Sequence, residues 1–179
     1  LTLAISTSGP FAIAAWFDGN QLIERACQES RRAASSVVMT ALDQHRNLEF
    51  SEIFVDVGPG SFTGVRVGVT IAKMLAELTG YPLYTILAFD LLPAETAIPS
   101  KKGEVFIRQD SQIKARAIEP SMTIATNDDW QQALLRLPRD QATPTDPLTL
   151  TPIYVNPPAI STAKQSLIMG EAFGGRRDV

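Results

Sequence analysis

The chain has 179 residues, 45% of them hydrophobic and 20% charged, with a net charge of −3. That length suits one domain or two small lobes around a sizeable core, and the acidic balance argues against a general grip on nucleic acid, which needs basic surface to neutralise phosphates. A single cysteine, Cys27, excludes an internal disulfide, and a single histidine, His45, argues against a classical metal centre.

No apolar run reaches the ~20 residues of a membrane span, and the first residues lack the basic start of a signal peptide, so the expected compartment is the cytoplasm. Residues 1–5 and 11–17 are apolar runs around a Ser-Thr-Ser-Gly-Pro turn. Asp18-Gly19-Asn20 is a hairpin signal that leads to a third strand over 21–27. The spacing predicts a helix over 30–45 with Ala34, Val38, Ala41, Leu42 and His45 on one side, His45 serving as a cap or surface residue.

Residues 53–57 read as a buried strand that feeds Gly58-Pro59-Gly60-Ser61, a turn in which Gly60 takes a positive φ and Ser61 or Thr63 caps the next helix. That helix is predicted over 63–79, with a stop at Gly80 and Pro82. Its series Gly64, Gly68, Ala72, Ala76 repeats every four residues and so lies on one face, a shallow groove for close approach of another helix. A glycine inside a helix costs up to ~1 kcal/mol against alanine, so two on one ridge imply compensating close packing. Arg66, a cation in the first turn, faces the positive end of the helix dipole and calls for a compensating carboxylate such as Asp56 or Glu52, or a phosphate. Gly60, Ser61, Thr63 and Arg66 together form a candidate anion or nucleotide site.

A strand over 82–87 and a short helix over 89–96 follow. The order βββαβαβα describes a mixed sheet with flanking helices, the order of ribonuclease H-like folds and of the lobes of actin-like kinases and ATPases. Beyond Pro99 the sequence predicts a hairpin over 104–118 around Asp110-Ser111 and a further strand over 121–125. A helix capped by Asn127 or Asp128 then runs to Leu137, followed by a loop over 139–147 and a last, edge strand over 148–155.

The run GPGSFTGVRVG at 58–68 resembles the signature of the TsaB (YeaZ) family, subunits of the bacterial machinery that installs threonylcarbamoyladenosine beside the tRNA anticodon. The likeness extends more loosely over 1–98, through LAISTS, the hairpin, the helix ending in histidine and the segment TGYPLY. The resemblance implies an actin-like, two-lobed fold, with a first lobe over 1–98, a reduced second lobe over 99–156 and a mobile tail over 157–179. It implies a non-catalytic scaffold that supports TsaD in threonylcarbamoyl transfer, using the helices near 30–45 and 63–79 to meet TsaD or a second copy. The interface residues are then Ala34, Val38, Leu42, Gly64, Val67, Gly68, Ile71, Ala72, Leu75 and Ala76. A TsaE-like ATPase and, only indirectly, tRNA are further implied partners, and ATP or ADP at the junction with a partner is the one cofactor the resemblance leaves room for.

Two departures stand out. Actin-like enzymes carry a metal-binding aspartate on the first turn, within A-I-D-T in this family, where this chain has Ser6; a hydroxyl does not replace a carboxylate beside Mg²⁺. The family's D-A-R-x-G-E-V-Y reads PSKKGEVF at 99–106. Asp18, Asp56, Asp90 and Asp110 show no pairing, and no nucleophile has an adjacent base, so the chain is not expected to be an enzyme alone. A nucleotide-binding module is the alternative reading, and a peptidase, lacking ligands for a metal, ranks last.

Overall fold

The computed structural model describes residues 1–30 and 33–155. A six-stranded mixed sheet forms its centre: β1 (Thr2–Ser6), β2 (Phe11–Asp18), β3 (Gln21–Glu29), β4 (Glu52–Asp56), β5 (Leu83–Ile86) and β9 (Thr143–Thr145), in the spatial order β3-β2-β1-β4-β5-β9. The first three strands are antiparallel, β4 and β5 run parallel to β1, and β9 closes the edge antiparallel to β5. The parallel pairs require crossovers, and these are the helices α1 (Ala34–Gln44) and α2 (Phe62–Thr79). This is the ribonuclease H-like order read from the sequence.

Alternation along the strands sorts the side chains onto two faces. Leu3, Ile5, Ala12, Ala14, Trp16, Ile53 and Val55 pack under α1 and α2, where the alanines of β2 leave room for helices. Ala4, Phe11, Ile13, Ala15, Phe17, Phe54 and Ile86 meet a second layer built from Phe89, Ile98, Phe106, Trp130, Leu134 and Leu137. That layer includes a three-stranded sheet, β6 (Ile98–Pro99), β7 (Glu104–Gln109) and β8 (Gln112–Ala117), whose hairpin turns at Asp110 and Ser111, both at positive φ.

Residues expected to form a separate second lobe therefore divide into this small sheet and a cover for the large one, and β9 joins the sheet of the first lobe. The strand expected over 148–155 is absent; that stretch runs along α2 instead, with the Ile153 amide on the Val57 carbonyl at 2.9 Å and Lys73 on the Leu150 carbonyl at 3.0 Å. The tail expected over 157–179 lies outside the described residues. Among the described residues no helix is long and apolar enough to cross a membrane.

Three helices are shorter than their sequence patterns. α1 starts at Ala34 because the Ser30 amide extends the β2–β3 ladder, donating to the Pro10 carbonyl at 2.9 Å. The helix expected over 89–96 is a single 3-10 turn, Ala88–Leu91, whose Asp90 carboxylate caps the Leu87 amide and binds Arg108. α3 (Asn127–Gln132) is capped by Thr126 with Asp129 in a reciprocal box, not by Asn127 or Asp128, and ends five residues before Leu137. Its end is set by Arg25 of β3, whose guanidinium donates to the carbonyls of Gln131 and Ala133 while Leu134 turns to φ 56° and buries its side chain. The residues expected over 121–125 as a strand make only the bridge Ala97–Ile124.

Arg25 thus satisfies carbonyls that a further helical turn would otherwise occupy. Arg25→Met is expected to lower the free energy of unfolding by about 2 kcal/mol, the scale of a charged hydrogen bond lost at a part-buried carbonyl, as read by urea denaturation.

Candidate functional site

The turn between β4 and α2 lies at the carboxyl ends of β1 and β4, where ligands and partners of α/β sheets gather. Gly58, not Gly60, takes the positive φ, at 96°. Gly60 is required for a different reason, since a Cβ there would strike the Ser8 carbonyl. The Ser61 amide donates to that same carbonyl at 2.8 Å, and the Ser61 hydroxyl accepts from the Gly64 amide at 3.2 Å as the cap of α2. Gly80 ends the helix in the left-handed conformation at φ 71°.

Thr7, in the loop after β1, reaches into the first turns of the helix. Its hydroxyl donates to the Gly64 carbonyl at 2.7 Å and accepts from the Gly68 amide at 3.1 Å, bridging the two ends of one helical turn. A Cβ on Gly64 would overlap the Thr7 carbonyl and one on Gly68 the Thr7 hydroxyl. The series Gly64, Gly68, Ala72, Ala76 therefore faces inward, onto the chain's own β1, and is no open groove; Gly68, Ala72 and Ala76 are buried. Ala34 and Val38 are core as well, Ile71 is buried, and Val67, Leu75 and Leu42 are half-buried beside them.

What the two helices leave outside is a different stripe. Val67, Ile71, Met74 and Leu78 follow a four-three-four spacing along α2; Ile71 is buried and Val67 half-buried, while Met74 is 53% and Leu78 79% exposed, and Met39 of α1, 50% exposed, lies on the outer side of α1. That spacing is the heptad-like signal of a helix seam and is visible in the sequence. The glycine repeat, which is an inward packing device, drew the groove to the wrong face.

The anion-site residues do not converge. The Ser61 amide is already bonded to Ser8, and Arg66 turns along the helix, its Nε donating to the Tyr154 hydroxyl at 2.8 Å and its guanidinium 4.0 Å over the Phe62 ring. Arg66 pairs with neither Asp56 nor Glu52; Glu52 instead binds Arg139 at 2.7 Å and Thr2. The aromatic rings supply what the sequence left to an anion. Ser61 and Thr63 do line a cleft of about 760 Å³ with Thr7, Ser8, Ser100 and Trp130, whose walls, among the described residues, carry hydroxyls and no charged side chain.

Beneath the turn lies the fully buried Asp56. Its carboxylate accepts from the Ser6 hydroxyl and the Gly58 amide, both at 2.8 Å. Burial raises its pKa above the usual carboxylate value, and the hydrogen bonds from Gly58 and Ser6 only partly oppose that. Ser6, which stands where the resemblance places a metal-binding aspartate, is thus committed to a carboxyl on the neighbouring strand. Asp90 is paired with Arg108, His45 forms the C-cap of α1 with its ring 5.0 Å from Trp16, and no three His, Cys, Asp or Glu side chains gather among the described residues.

Known proteins agree with this geometry. The family model described as "TsaD: tRNA N6-adenosine threonylcarbamoyltransferase" matches residues 24–104. The tRNA threonylcarbamoyladenosine biosynthesis protein TsaB of Bacillus subtilis (strain 168) is 46% identical over 46 residues, which are 26% of this chain and 20% of that protein. Over these stretches the chain is similar to TsaB and to the TsaD family model. YeaZ from Pseudomonas aeruginosa superposes with a TM-score of 0.51 at 21% identity, covering 65% of this chain and 64% of that one. A second structure, of a protein with similarity to the peptidase YeaZ from Pseudomonas aeruginosa, superposes with a TM-score of 0.58 at 16% identity, over 87% and 99%. These superpositions establish the actin-like ATPase fold, and the curated match spans a fifth of its relative's length.

Two consequences of the turn are measurable. Gly64→Ala meets backbone and Gly68→Ala meets a short side chain, so both lower stability by about 1–3 kcal/mol, Gly64→Ala more, in urea unfolding. Asp56 binds its proton more tightly folded than unfolded, so it favours the folded state most at low pH and loses that contribution as pH rises from about 4 through its raised folded pKa. Asp56→Asn is expected to flatten that part of the pH–stability curve.

Proposed function

We propose that the chain is a non-catalytic scaffold subunit that supports a TsaD-like protein in threonylcarbamoyl transfer to the tRNA adenosine beside the anticodon. The likeness to TsaB supports the pathway, and the observation that carries the role is the exposed apolar side chains of Met74 and Leu78 on α2 and Met39 on α1, left in water by two packed helices. Burying such a stripe contributes roughly 25 cal/mol per Å². The docking surface is thus the outer side of α1 and α2, rather than the ridge of small residues. The absence of a paired nucleophile and base among the described residues supports a partner doing the chemistry. The proposal needs no nucleotide in the chain itself, because the first amide of the turn is held by Ser8 and Arg66 by Phe62 and Tyr154.

Co-purification with a tagged TsaD-like subunit from the same source tests this. The parent chain is expected to be retained, and Met74→Glu with Leu78→Glu to abolish retention while the melting temperature stays within about 2 °C of the parent, since both positions are exposed. Undiminished retention of that variant overturns the assignment, as does a parent chain that only self-associates.

A further inference from the structure

The chain's acidic total conceals an uneven distribution. Within 98–118, the span of the three-stranded sheet, there are five cations, Lys101, Lys102, Arg108, Lys114 and Arg116, against the two carboxylates of Glu104 and Asp110; eleven cations and seventeen carboxylates remain for the rest. Two of the five are engaged, Lys101 with Glu104 at 3.3 Å and Arg108 with Asp90 at 2.5 Å. Lys102, Lys114 and Arg116 are exposed, and none has an ion pair among the described residues.

Register sets two of these three on one line. Arg116 lies opposite Val105 and Lys114 opposite Ile107, so the two share one face of β8, about 7 Å apart along the strand. Lys102 precedes Gly103, whose carbonyl accepts the Ile118 amide at 3.1 Å just past the end of β8, so Lys102 lies beyond that end, beside the exposed Glu119. β8 is an edge strand, and a lysine on an edge also deters pairing with other chains. Edge protection does not account for Lys102, which sits in the loop before β7.

We infer that Lys102, Arg116 and Lys114 form a ridge that binds the phosphate backbone of RNA. Such contacts position a polyanion without reading its sequence, and they need only local basic charge, so the chain's acidic total does not oppose them. The inference rests on the tRNA-modification reading for the identity of the polymer, and it turns an indirect relation to tRNA into a direct one. The ridge belongs to the small sheet and the outward stripe to α1 and α2, so the two surfaces are separable by substitution.

Fluorescence anisotropy of the full chain with a fluorescein-labelled tRNA transcript, between 50 and 200 mM KCl, tests it. Lys114→Gln with Arg116→Gln is expected to weaken binding and to lower the slope of log affinity against log salt by about one per charge removed. Met74→Glu with Leu78→Glu is expected to leave that slope unchanged. Equal affinity and slope for the parent and the glutamine variant overturn the inference. So does binding of the parent to anionic phospholipid vesicles but not to the transcript, and so does loss of the TsaD-like subunit, instead of RNA, on neutralising the ridge. A chain that holds the subunit but no RNA refutes the ridge alone; one that holds RNA but no subunit refutes the scaffold reading alone.

Discussion

One hydroxyl fixes the relation between helix and sheet. Thr7 Oγ1 uses its proton on the Gly64 carbonyl and a lone pair on the Gly68 amide, and it reaches them only because neither residue carries a Cβ. With Gly60 equally close to Ser8, the loop after β1 and the turn after β4 interlock, and α2 is pressed onto the carboxyl ends of the parallel strands. The rest follows from that closeness. The small residues of α2 are spent inside the molecule, α1 fits beside it over the alanines of β2, and Met74 and Leu78 of α2 are turned outward.

The strands β1 to β5, the hairpin at Asp18-Gly19, both ends of α2 and the hairpin at Asp110-Ser111 were legible because local rules decide them: alternation, caps and turn residues. The four-residue repeat of glycine and alanine was legible as close packing, yet not as packing against what, since a helix face gives no sign whether its neighbour is a strand of the same chain or a partner. The Val67–Ile71–Met74–Leu78 series was equally readable, and its last two members, Met74 and Leu78, are the exposed ones. Arg66 was read correctly as a charge needing company, but Phe62 is a turn away and Tyr154 eighty-eight residues on, and a ring's face is a partner that charge counting overlooks. The shortened α3 was out of reach for the same reason, because its end is set by Arg25 from a distant strand. β9 was hidden by its three residues and by Pro144, which suits an edge strand and a loop alike.

Ser6 and Asp56 depart from the pattern that the resemblance implies. The carboxyl that the resemblance places on β1 has no counterpart there; a carboxyl on the adjacent strand fills the same end of the sheet, held by the Ser6 hydroxyl and the Gly58 amide. Enclosed in this way it ties the two loops together from below, as Thr7 ties loop and helix from above. Among the described residues, the cleft over them is walled by hydroxyls, the Asn127 amide and apolar side chains that include Trp130.

The late arrival of β9 has a bearing on how the molecule is made. Its pairing partner β5 ends about 56 residues earlier in the chain, so at roughly 5–20 residues per second a ribosome leaves the flank of β5 bare for about 3 to 11 s before the closing strand emerges. During that interval the nascent sheet exposes unpaired amides and carbonyls to any neighbouring chain, and Tyr84 awaits Pro144. Synthesis speed and the crowding of ribosomes on one message thus bear on the yield of this fold through three residues.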